Sequence, residues 1–134
     1  MSQKAVATQA ETALNNVAAI TVADGEDPAF ASLGTSLAEI RKLKGVLGYI
    51  MRGNTSAVLD LAERDKISQY ALLSYQLRES SLEIARQLNI AEIESALVEG
   101  KSLKVLFMKI GENNINVFME KSANHSKIIK RVLI

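Results

Sequence analysis

Apolar residues recur every three or four positions in four stretches of the chain, which is the spacing of one face of an α-helix. The first stretch, residues 1–23, is weak, because alanines fill many of its apolar positions. It predicts a helical arm that needs a partner surface, or an arm that is partly disordered. The Asp-Gly-Glu-Asp-Pro sequence at 24–28 separates this arm from the rest of the chain.

A second helix is predicted to begin at Pro28. Asp27 before Pro28 has the form of an N-cap followed by proline at the first helical position, and Gly45 marks the predicted end. Its apolar positions form one helix face: Phe30, Leu33, Leu37, Ile40 and Leu43.

The longest helix is predicted over 66–89, with Asp65 as its N-cap and Asn89 as its C-terminal cap. A short helix is predicted over 124–134, where basic residues alternate with apolar ones.

In the segments between these helices, apolar positions recur every second residue, which predicts β-strands. Residues 46–51 and 56–61 flank a Gly53-Asn54 turn, and this pattern is typical of a hairpin. Three further strands are predicted over 93–98, 103–110 and 115–120. Polar residues on one side of the alternation predict a sheet that is covered mainly on one face.

The order of elements is α-β-β-α-β-β-β-α after the arm. Short turns join the strands within each group, and the long helix connects the two groups. This order predicts an α/β fold of the α+β type, with one five-stranded antiparallel sheet and helices packed on it. We therefore divide the chain into an arm, residues 1–27, and a folded domain, residues 28–134.

The long helix carries two neighbouring stripes, and together they are wider than one sheet would cover. The large residues are Tyr70, Leu73, Leu77, Ile84 and Leu88, and the small ones are Ala71, Ser74, Ser81 and Ala85. One interpretation is a single wide face toward the core. The other is that the small residues let a second copy of the helix approach, since symmetric pairing is the commonest route to an oligomer.

The composition of the chain excludes several classes of function. The chain has 134 residues, a net charge of +1 and no cysteine. The balanced charge argues against nucleic-acid binding, and the absence of cysteine excludes disulfides and thiolate metal sites. No apolar run has the length of a membrane span, and no signal peptide is evident at the N-terminus, so we expect a cytoplasmic protein.

Candidate catalytic and cofactor sites are weak. His125 is the only histidine, and its position at a helix start favours a capping or solvent-exposed role. Gly100-Lys101-Ser102 resembles the end of a phosphate-binding loop, but Ser95 stands where its first glycine belongs and a strand follows. The basic residues near Lys44 and Lys127 are interpreted as a solvated face, with a patch for an acidic partner as the alternative. We expect no enzymatic activity, metal or cofactor.

From about residue 37 onward, the order of elements combines with these segments: Leu43–Tyr49, Thr55–Asp60, Val98–Lys101, Lys104–Met108, Gly111–Asn113 and Val117–Ser122. Together they resemble the Roadblock/dynein light-chain family. Members of that family dimerise by pairing their third strands and packing their long helices side by side. They act as scaffolds or regulators of small Ras-like GTPases, or as subunits of motor complexes. The long arm departs from the minimal family pattern.

The resemblance implies a homodimer interface in two parts. The edge strand would contribute Ile93, Glu94, Ser95, Ala96, Leu97 and Val98. The seam between the two long helices would contribute Ala71, Ser74, Tyr75, Arg78, Ser81 and Ala85. An unpaired edge strand is a liability unless it is covered, so this pairing also satisfies a physical requirement.

Three functions follow as hypotheses. The first is a non-enzymatic dimeric scaffold or regulator of a small Ras-like GTPase. The second is a structural subunit of a larger complex with no GTPase link, and the third is a small-ligand sensor domain.

Overall fold

The computed structural model describes residues 20–22 and 28–133. Within these residues, no helix is both long enough and apolar enough to cross a membrane. The α+β fold class and the predicted order of elements are confirmed. The three helices are α1 (Pro28–Ile40), α2 (Ile67–Leu88) and α3 (His125–Leu133).

One antiparallel sheet contains all the described strands. They are β1 (Ile20–Val22), β2 (Val46–Arg52), β3 (Ala57–Leu61), β4 (Ser95–Glu99), β5 (Leu103–Ile110) and β6 (Asn113–Glu120). Their order across the sheet is β1-β3-β2-β6-β5-β4. Strands β2 and β6 therefore form the centre of the sheet, and β4 lies at one edge.

Strand β1 corrects the helical prediction for the end of the arm. Ile20–Val22 pairs antiparallel with β3, and Ile20 lies opposite Leu59. Residues 20–22 form a sequence of β-branched residues, Ile-Thr-Val, which favours a strand when an unpaired edge is available. The rest of the predicted arm, residues 1–19 and 23–27, lies outside the described residues.

The expectation that the sheet is covered mainly on one face is wrong. Helices α1 and α3 cover one face, where Leu37, Met119 and Ile128 belong to the larger buried cluster. Helix α2 covers the other face, where Tyr70 stacks on Phe118 with ring centroids 4.5 Å apart and planes inclined at 15°. Both faces can be covered because the central strands carry apolar residues at odd and even positions alike.

Several element ends differ from the predictions. Helix α1 ends at Ile40, and turns lead from it to Gly45. Lys66, not Asp65, is the N-cap of α2, because Asp65 lies in a preceding 3₁₀ turn over Arg64–Lys66. The prediction for Asn89 is confirmed, since this residue ends the helix in the left-handed conformation, with a φ of 55°.

Gly48 allows a close approach of backbones at the centre of the sheet. The register of β2 against β6 shifts between Val46 and Gly48, and the φ of Gly48 is 155°. A Cβ atom at this position would lie 2.4 Å from the carbonyl oxygen of Asp60. The close neighbour is thus strand β3.

Candidate functional site

The free edge of the sheet is the first part of the candidate site. Strand β4 pairs only with β5 among the described strands. Leu97 is 36% exposed and Val98 is 43% exposed, which is unusual for apolar residues in a strand. Ile93 and Glu94 precede the strand, and the Glu94 carbonyl accepts a hydrogen bond of 2.8 Å from the Lys109 amide, which prolongs the pairing with β5.

The predicted helix seam divides into exposed and buried positions. Ala71, Tyr75 and Arg78 are exposed on one flank of α2, and Ser81 is half-buried and donates to the Leu77 carbonyl. Ser74 and Ala85 are only 7% and 4% exposed. A second copy could therefore meet the flank formed by the exposed residues, while the two buried residues are covered by their own chain.

Helix α2 also exposes large apolar residues that the sequence reasoning did not assign to the interface. Leu72 and Leu82 are half-exposed, and so are Ile84 and Leu88, which were expected in the core-facing stripe. Ile90 follows the helix and is 47% exposed. The sequence did indicate this exposure, because apolar residues occupy more than one face of α2 and a single sheet cannot cover several faces of a helix.

A small cleft brings the two predicted parts of the interface together. Arg78 and Ser81 from α2 line it together with Ile93, which leads into β4. Its volume is about 40 Å³. The Lys109 ammonium lies 3.2 Å from the Glu92 carboxylate and ties the segment before β4 to β5. The helix flank and the strand edge thus form one continuous surface.

A larger groove continues along the same flank of α2, toward the β2–β3 and β5–β6 turns. Its volume is about 300 Å³, and Arg52, Tyr75 and Arg78 are among the residues that line it. Ser74 and Asn116 also line it, and both are almost completely buried. Neither the Ser74 hydroxyl nor the Asn116 Oδ1 has a hydrogen-bond partner.

His125 makes a contact that the sequence did not predict. Its Nδ1 atom lies 3.1 Å from the Nζ of Lys104, a residue that is only 4% exposed. Because an ammonium group can only donate, Nδ1 is the acceptor. The neighbouring Asn124 caps α3 by accepting a hydrogen bond from the Lys127 amide. In residues 20–22 and 28–133, no cluster of three or more potential metal ligands is present.

The basic residues and the Gly-Lys-Ser sequence have structural explanations. Arg41 is half-buried and lies 3.3 Å from the Asp60 carboxylate, so it is not part of a purely solvated face. Its guanidinium also donates to the Val46 carbonyl. Gly100 and its two successors form the turn between β4 and β5, closed by a bond from the Gly100 amide to the Leu103 carbonyl.

Comparisons with known proteins identify the fold. No family model matches the sequence, and no curated protein is similar to it. Among solved structures, the Roadblock/LC7 domain from Streptomyces avermitilis has 9% identity and a TM-score of 0.61, over 74% of this chain and 87% of that one.

Two further similar structures carry the name MglB. The protein from Myxococcus xanthus has 12% identity and a TM-score of 0.60, over 83% of this chain and 86% of that one. The gliding protein from Thermus thermophilus has 13% identity and a TM-score of 0.62, over 82% of this chain and 89% of that one. The chain therefore has a Roadblock-like fold.

Proposed function

We propose that this Roadblock-like chain is a non-enzymatic homodimer that acts in the cytoplasm as a scaffold or regulator of a small Ras-like GTPase. The observation that carries the proposal is the continuous surface formed by the free β4 edge and the exposed apolar flank of α2. Exposed apolar surface of this kind is typical of a protein that associates with a partner.

The β4 edge supports pairing with a second copy. Its backbone groups on the outer side face no other described strand, and such an edge favours association with another strand. In a two-fold arrangement, the same strand meets itself, so every contact occurs twice. Val98 lies on the α2 side of the sheet, as its register opposite Val105 requires, and would join the strand contact to the helix contact.

The flank of α2 supports a helix contact in the same dimer. Tyr75 and Leu82 are exposed by 54% and 50%, and they follow each other at a spacing of seven residues on one helix face. Aromatic and large apolar residues contribute most to interfaces when they become buried. Dimerisation would remove their apolar surface from water.

The Roadblock-like fold and the family resemblance stated above support the proposed GTPase link. The family includes regulators of small Ras-like GTPases, and one of the similar structures is named as a gliding protein. A dimer would present two copies of each surface to such a partner.

The dimer is tested by measuring molar mass with multi-angle light scattering over a wide range of concentrations. The expected mass is twice the 14.6 kDa of one chain. Val98→Lys should shift the mass toward the monomer, because it places like charges on paired edges. The control is Leu72→Lys, which changes an exposed apolar residue outside the predicted interface and should leave the dimer intact. A wild-type monomer at high concentration would contradict the proposal.

The GTPase link is tested by affinity capture from native lysate, with and without a non-hydrolysable GTP analogue. The expected result is a Ras-like GTPase that is captured more strongly with the analogue. Capture of a stable complex that contains no GTPase would favour the second hypothesis, a structural subunit.

A further inference from the structure

We infer that the groove between α2 and the turns at the end of the sheet binds a small carboxylate that also carries a hydroxyl or ammonium group. The volume of about 300 Å³ lies at the small end of the range for ligand pockets. It corresponds to about ten water molecules, so the ligand would be of similar size.

A row of polar residues crosses the floor of the groove. Arg52 on β2 lies opposite Asn114 on β6, and Asn114 lies opposite Lys109 on β5. Directly opposed residues in an antiparallel pair are about 5 Å apart, which places both cations beside the same asparagine. Arg78 lines the groove from α2, on the opposite wall.

The charge of the groove favours an anion. Glu112 is the acidic residue among those that line it, and Lys109 is already paired with Glu92 at 3.2 Å. The contact between Arg78 and Glu79 is long, at 3.9 Å, and both side chains are half-exposed, so it contributes little. Arg52 and Arg78 therefore supply the positive charge. Guanidinium groups bind carboxylates through two parallel hydrogen bonds.

Two buried polar atoms indicate what else the ligand carries. Asn116 lies one row deeper than Asn114 and is 3% exposed, while Ser74 faces it from α2 and is 7% exposed. The Asn116 Oδ1 and the Ser74 Oγ both lack a hydrogen-bond partner. A carbonyl oxygen can only accept a hydrogen bond, so a ligand that reaches Asn116 has to bring a donor. A carboxylate alone cannot satisfy it, but a hydroxyl or ammonium group can.

The test is a titration of isotopically labelled protein followed by NMR, with malate, aspartate and succinate as probes. These dicarboxylates have nearly the same size, but succinate has neither hydroxyl nor ammonium. We expect malate or aspartate to shift the resonances of Asn116 and Ser74 and to bind at least about tenfold more tightly than succinate, since an unpaired buried acceptor disfavours succinate.

Two variants test the arginines and the buried Asn116 separately. Arg52→Gln should weaken malate binding about tenfold, because it removes a charge-assisted pair. Asn116→Leu should bring the affinity for malate down to that for succinate while the protein keeps its fold, as thermal unfolding would verify. If this variant does not fold, Asn116→Ala removes the same acceptor with a smaller side chain.

The inference does not depend on the proposed GTPase partner, and its dependence on the dimer can be measured. Tyr75 and Arg78 belong both to the groove and to the predicted helix seam. The titrations are therefore repeated on Val98→Lys, which does not alter the groove. Preference for malate or aspartate in either form supports the site. Equal binding of all three probes and inorganic phosphate, or no binding in the millimolar range in either form, would overturn it.

Discussion

The two faces of the sheet are covered to different extents. On the face of α1 and α3, the helices bury nearly all the apolar residues that they direct toward the strands, including Leu37 and Ile128. On the face of α2, one helix covers a smaller buried cluster and leaves large apolar residues such as Tyr75 exposed. The first face leaves little apolar surface exposed, whereas the second retains apolar surface that its own sheet does not use.

The largest expected effect on the free energy of unfolding comes from a matched pair of leucine-to-alanine substitutions, one on each face of the sheet. Leu37 lies on α1 and is completely buried, and Leu72 is 56% exposed on α2. Leu37→Ala should lower the free energy of unfolding by about 2–5 kcal/mol, because it leaves a cavity. Leu72→Ala should change it by less than about 0.5 kcal/mol. Urea unfolding monitored by circular dichroism measures both. Similar costs for the two variants would mean that an unseen partner covers α2 at this point.

A smaller effect is expected at the ion pair on the α1 face. Asp60→Asn removes the charge that lies 3.3 Å from Arg41 and leaves the half-buried guanidinium with its bond to Val46. The free energy of unfolding should fall by about 1 kcal/mol, since the pair is partly screened by solvent. Asp60 also raises the pKa of Tyr49, so the variant should lower that pKa. An unchanged titration of Tyr49 would contradict the predicted coupling.

The smallest effect concerns alkaline pH, where each face carries one perturbed tyrosine. Burial, followed by Asp60, raises the pKa of Tyr49, and burial, followed by Glu63, raises the pKa of Tyr70. Both pKa values lie above 10.0 in the folded chain, so the unfolded chain releases these protons first as the pH rises. Their contribution to stability is therefore complete below pH 10 and is lost as the pH passes through the folded pKa values.

Phenylalanine substitutions measure this loss one face at a time. Tyr49→Phe and Tyr70→Phe should each make the free energy of unfolding depend less steeply on pH in the alkaline range. At neutral pH, Tyr70→Phe should cost less than about 1 kcal/mol, because its hydroxyl makes one long bond of 3.4 Å to Glu63. An equally steep dependence in both variants would assign the alkaline loss to other groups.

The fold could be predicted from the sequence to the extent that local periodicity determines it. Alternation identified strands β2 to β6, and helical spacing identified the three helices, because each pattern contains the geometry of its element. Periodicity could not reveal β1, because three residues are too few to show a period and the pairing partner is about forty residues away. It also could not tell which stripe of α2 faces the sheet, because apolar residues occupy several faces.

The candidate surfaces were predictable in part. The position of the edge strand followed from the order of elements and the family resemblance, and the structure places β4 at the edge. The groove was not predictable, because Arg52, Asn116 and Arg78 are distant in the sequence and meet only through the strand register and the crossing of α2. Ser74 and Ala85 were assigned to the helix seam because small residues permit close approach, but in the structure both are buried within their own chain.

The pairing of β1 with β3 has a consequence for the number of copies that can join. With Ile20–Val22 paired to β3, the edge at this end of the sheet is a strand of 3 residues, whereas β4 at the other end has 5 residues. A sheet that can extend at both ends would add copies indefinitely and form a fibre, whereas one that extends at a single two-fold contact stops at two. Because very short edge strands are poor templates for pairing, β1 disfavours growth at its own end of the sheet and leaves β4 as the better edge for a second copy.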